Sequence, residues 1–81
     1  MRLVREIARP DCKITIFSWN NRYLVKLEQG LLEQTFKIPE TDLAGEEDLM
    51  SILDAEFLHQ AAARFSEMGQ SLYEARTRSG L

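Results

Sequence analysis

The chain has 81 residues, of which 44% are apolar and 28% charged, with a formal net charge of −3 and a pI near 5.1. Such a length supports one domain, residues 1–81, that buries only about 60% of its unfolded surface, and the apolar content excludes a disordered chain. The acidic balance disfavours broad attraction to nucleic acid or an anionic membrane, and one cysteine, Cys12, excludes an intramolecular disulfide framework or a structural zinc site.

At the N-terminus, charges at Arg2, Arg5, Glu6 and Arg9 break up the apolar run that a signal peptide requires. No segment approaches the roughly 20 apolar residues of a membrane span, and a lone unpaired cysteine suits a reducing cytoplasm. Cytoplasmic location without membrane contact is therefore the expectation. Leu3, Val4 and Ile7 fit a helical turn, whereas Leu3, Arg5 and Ile7 alternate as a strand. The preferred reading is a short strand that turns at Pro10-Asp11 and lies beside Cys12–Ser18.

Residues 12–38 alternate in polarity, and two turn signals divide them. Asn20-Asn21 suits a two-residue turn because asparagine tolerates positive φ. Gln29-Gly30 offers a weaker version of the same signal. Two-residue hairpins at both places pair Ile16 with Val25, Ile14 with Leu27 and Ser18 with Tyr23, then Leu27 with Leu32, Val25 with Gln34 and Tyr23 with Phe36. One face then carries Ile14, Ile16, Tyr23, Val25, Leu27, Leu32, Phe36 and Ile38, with Ser18 and Gln34 as exceptions. The other face matches Lys13 with Glu28 and Lys26 with Glu33. A one-residue slip would send every side chain to the wrong face, so the pattern supports the pairing.

Pro39-Glu40-Thr41-Asp42 closes the sheet with turn chemistry. Gly45 followed by Glu46, Glu47 and Asp48 marks a helix start, acidic side chains being favoured at the positive end of the dipole. From Leu49 to Tyr73 apolar residues recur every three or four positions, but a single straight helix would put Asp54 inside the apolar arc. Asp54 is read instead as the N-cap of a second helix. The expectation is a short helix at about 46–53, a longer one at about 54–76 and a frayed tail at 77–81. The fold class is α+β: an antiparallel meander of three or four strands, packed on one face by a short and then a longer C-terminal helix.

The longer helix is too long and too apolar to be covered by its own sheet. Its surplus flank, Leu58, Ala62, Phe65, Gly69 and Tyr73, is a candidate homodimer surface, because so small a core gains from association. On the outer face of the sheet, Phe17 opposite Leu24, with Trp19 beside Arg22 and Lys37, forms a candidate interaction face. Trp, Phe and Arg are the residues in which interfaces concentrate binding energy.

Signals for chemistry are few. Cys12 shares the parity of Ile14 and reads as a buried structural thiol with nothing to lower its pKa. His59 has only Ala55 and Ala63 at i±4 and reads as a surface residue. The acidic run 46–48 lacks the alternating oxygens of a calcium loop. No phosphate loop, zinc-protease motif or nucleophile elbow occurs. The sequence-level expectation is a non-catalytic, self-associating protein–protein interaction module, with no cofactor and no metal. Two alternatives stand beside it. One is a single-stranded nucleic-acid platform, on which bases stack on the aromatics among Lys13, Arg22, Lys26 and Lys37. The other is a small enzyme subunit.

Overall fold

The computed structural model describes residues 1–81. Four strands, β1 (Arg2–Ala8), β2 (Lys13–Trp19), β3 (Arg22–Gln29) and β4 (Leu32–Pro39), precede a 3-10 turn at Glu40–Asp42. Two helices follow, α1 (Glu47–Ile52) and α2 (Ala55–Ser79). The sheet is an antiparallel meander in the order β1-β2-β3-β4. The fold is α+β, and the N-terminal segment is its fourth strand.

The β2–β3 turn uses Asn20 and Asn21 at φ 54° and 62°, the paired positive φ values of a I′ hairpin. Its register is the expected one, with Ile16 opposite Val25 and Ile14 opposite Leu27. The second hairpin differs by two residues. Gln29 pairs with Leu32, Val25 with Phe36 and Tyr23 with Ile38, so the turn is Gly30-Leu31. Gly30 takes φ +59° at the first central position, where a II′ turn requires it. A slip of two preserves side-chain parity, so the apolar face is unchanged.

What does change is the charge pairing. Glu28 now lies directly opposite Glu33, and Lys26 Nζ sits between them at 3.8 and 3.9 Å. The Lys26–Glu33 attraction thus persists along a diagonal and relieves the carboxylate repulsion. Lys13 faces Glu28 in register, but its Nζ lies 3.8 Å from Glu6 on β1. The side chains in these pairs are about a third exposed or more, and the pairs contribute little individually.

The core lies between the sheet's inner face and the helices. Ile14, Ile16, Tyr23, Val25 and Leu27 come from the sheet, Leu49 and Leu53 from α1 and its end, and Leu58, Ala61 and Phe65 from α2. Both polar exceptions on that face are hydrogen-bonded. Ser18 Oγ donates to Glu40 Oε1 at 2.6 Å. Gln34 Nε2 donates to the Ala61 carbonyl at 2.9 Å, and Gln34 Oε1 accepts from Arg64 Nε at 2.9 Å.

The chain breaks between the helices at Leu53-Asp54, as expected. Asp54 has extended backbone, and its Oδ1 accepts from the Phe57 amide at 2.8 Å. Replacing it with alanine leaves an unpaired amide at the helix start. Asp54→Ala should lose about 1 kcal/mol in chemical denaturation, and an unchanged midpoint would contradict the capping role. At the other end the expected fraying from residue 77 is corrected. The helix runs to Ser79, because Gly80 adopts φ 73°. The Gly80 and Leu81 amides then return to the carbonyls of Thr77 and Arg76, a glycine-dependent C-terminal cap.

The direction of α2 follows from its partners on β4. Phe57 packs edge-on against Phe36, Ala61 and Arg64 meet Gln34, and Gly69 lies against Leu32. The helix therefore runs antiparallel to β4 and passes the Gly30-Leu31 turn near Gly69. Its last ten residues, Gln70 to Ser79, project about 15 Å beyond the sheet. The molecule accordingly measures 48 × 26 × 20 Å.

Candidate interaction surfaces

Six of the nine large exposed apolar side chains lie on two surfaces, the outer face of the sheet and the end of the molecule where α2 overhangs; the others are Met1 and, on α1, Met50 and Ile52. On the sheet, one row across all four strands reads Leu3, Phe17, Leu24, Lys37, and the next reads Trp19, Arg22, Pro39. Strand β1 joins the sheet beside β2 and does not fold over the aromatics, so it adds Leu3 to the patch. Trp19 is 51% exposed, while Phe17 and Leu24 are half-buried. Arg22 lies opposite Trp19 and Lys37 opposite Leu24, both exposed.

The ring–cation contacts of the molecule lie elsewhere, where Arg64 sits 5.8 Å from the Phe36 centroid and 5.7 Å from that of Phe57. This cluster escaped the sequence reading, because Gln34 and Arg64 are 30 residues apart and only the packing of α2 on β4 joins them. Arg64 Nη2 is buried without a hydrogen-bond partner.

The residues expected to form a dimer flank divide into two groups. Leu58 at 6% exposure and Phe65 at 2% belong to the core, so they are not available as surface. Leu58 shares its buried cluster with Leu49 and Leu53, from α1 and its end. Ala62 and Gly69 are half-buried, and Tyr73 is 69% exposed. The exposed part of the flank thus begins where the sheet ends. There Gly69, Leu72, Tyr73, Arg76, Thr77 and Leu81 line a groove of about 330 Å³.

A second groove, about 240 Å³, opens between β1 and α1, lined by Val4, Arg5, Ile16, Glu46, Glu47, Leu49 and Met50. It is present because β1 has an irregularity between Leu3 and Arg5, which turns Val4 toward the core.

Chemistry-bearing residues are dispersed. No group of three or more His, Cys, Asp or Glu side chains converges, and His59 is exposed. Asp48 closes the loop before α1, its Oδ2 accepting from the Ala44 amide at 2.8 Å. No helix is long and apolar enough to cross a membrane.

Cys12 packs half-buried at the edge of the core. Burial first and the Asp11 carboxylate second push its thiol pKa up from 9.0, while Arg9 opposes them. A raised thiol pKa in the folded state makes a stabilising contribution that is complete below the unfolded value and fades as pH rises through the folded one. Stability should therefore fall above about pH 9, and Cys12→Ala should flatten that part of a stability–pH profile. An unchanged alkaline slope in the variant would remove Cys12 as its source.

Comparison with protein-family models, with curated proteins and with solved structures finds no match.

Proposed function

We infer that the protein is a small, non-catalytic interaction module that self-associates and presents the outer face of its sheet to a protein partner. The observation carrying self-association is the excess of surface. The chain exposes 5812 Å², whereas a compact monomer of 9.4 kDa exposes about 5,000 Å². Its radius of gyration of 14.7 Å likewise exceeds the ~12 Å of a compact domain of this length. Only 11 of 81 residues are buried, so a single copy has little core to offset its ordering entropy. Burying apolar surface against a second copy supplies more.

The outer face supports the partner-binding part of the reading. Leu3, Phe17, Leu24 and Trp19 form one apolar surface edged by Arg22 and Lys37, a composition of aromatics and cations that suits a binding hot spot. The nucleic-acid alternative draws less support. Lys26 is paired with Glu28 and Glu33 and Lys13 with Glu6, which leaves that face without a continuous cationic track.

Self-association is tested by melting the protein across a hundredfold concentration range. Coupling of folding to association makes the melting temperature rise with concentration. A temperature independent of concentration would count against the reading.

A further inference from the structure

We propose that two copies join through the overhangs of α2, paired antiparallel about a two-fold axis between Tyr73 and Arg76, leaving both outer sheet faces free. The proposal rests on the self-association reading and says where that association occurs.

Size is the first argument. The surface excess of about 800 Å² over a compact monomer equals one partner's share of a standard interface. Its location follows from the shape, since the feature that departs from a compact form is the α2 segment beyond Gly69. Four of the nine large exposed apolar side chains, Leu31, Leu72, Tyr73 and Leu81, lie at this end. Leu72 stands seven residues after Phe65 and fourteen after Leu58, and so continues their core-facing stripe past the sheet. It is 51% exposed only because the sheet has ended.

The second argument is self-complementarity. An isologous interface uses one patch on both copies, so each contact is made twice. With the axis between Tyr73 and Arg76, the Tyr73 of each copy faces Arg76 of the other, and Leu72 faces Thr77. Arg76 makes no ion pair within its own chain, which leaves its guanidinium free to stack on that tyrosine ring. The same axis brings Leu81, folded back by the Gly80 cap, toward the second copy's hairpin tip, where Leu31 is fully exposed.

Other ways of pairing fit less well. A two-fold centred on Arg5 or Glu6, at the middle of the β1 edge, would set like charges against each other, which destabilises strand pairing. A face-to-face sheet dimer would leave the overhang, the source of the excess surface, uncovered.

The test is sedimentation equilibrium of the full chain, wild type and two variants, with thermal melting of each. Tyr73 is mostly exposed in one copy, so Tyr73→Ala should fold normally. It should raise the dimer dissociation constant at least about tenfold, while Trp19→Ala leaves that constant unchanged. Weakening by Trp19→Ala and not by Tyr73→Ala, or by neither, would overturn the placement while self-association stands. A monomeric wild type at tens of micromolar would overturn both.

Discussion

Phe65→Ala is expected to cost about 3–5 kcal/mol, as full truncation of a buried aromatic does. A domain of this length has only about 4–12 kcal/mol of stability in total, so the variant should melt at least about 12 °C lower or fail to fold. Phe65 is 2% exposed and among the largest fully buried side chains. It lies in one cluster with Ile14, Ile16, Val25 and Leu27 from β2 and β3 and with Leu49 from α1. Removing its ring opens a cavity in the core between the sheet and the helices. The neighbouring strands are hydrogen-bonded in register and cannot collapse into that space. Loss below about 1 kcal/mol would mean that the helix does not seat on the sheet as described.

Gln34→Leu is the second large effect, and its cause is polar. The substitution removes the acceptor 2.9 Å from Arg64 Nε, beside an Nη2 that is already buried and unpaired. Leaving a further buried donor unsatisfied should cost about 1–3 kcal/mol. The Gln34 bond to the Ala61 carbonyl disappears too, but that oxygen keeps its place in the helical ladder. Combining Gln34→Leu with Arg64→Met removes the orphaned cation and retains a flexible apolar side chain against Phe36 and Phe57. The double variant should recover most of the loss, because replacing both partners by apolar groups is far cheaper than removing one. Denaturation of the four species gives the coupling directly. A double variant less stable than Gln34→Leu alone would show that stacking on Phe36 and Phe57 outweighs the desolvation of the guanidinium.

The strand half was legible because its rules are local. Asn20-Asn21 announced both the turn and its register, and alternation then assigned each side chain to a face. A Gln29-Gly30 turn puts Gly30 at the second central position, whereas it occupies the first; the turn lies one residue later, and the pairing shifts by two. Period-two geometry made that error harmless to the core, and only the charge pairing recorded it. Asp54 was readable for the same local reason, since a carboxylate in the middle of an apolar arc has few roles besides a cap.

Contacts between distant segments were not readable. Ser18 and Gln34 looked like defects in an apolar face, yet each meets a partner more than 20 residues away, on the 3-10 turn and on α2. The rotation of α2 about its axis was equally hidden. Periodicity marks a wide apolar arc but does not say which part the sheet covers, so Leu58 and Phe65 were grouped with Tyr73. The end of the sheet decides that division, Leu58 and Phe65 lying in the shared core and Tyr73 beyond it. Fraying at the C-terminus was the expectation because the cap depends on Gly80 entering the left-handed region, a single dihedral that composition does not announce.

An excess of surface is what ties the fold to the proposed function, and the mass of the protein in solution tests that link most directly. Sedimentation equilibrium at tens of micromolar should give twice the 9.4 kDa chain mass, with dissociation on dilution. A mass of 9.4 kDa throughout that range would show that the chain carries its exposed apolar surface alone and would contradict the account.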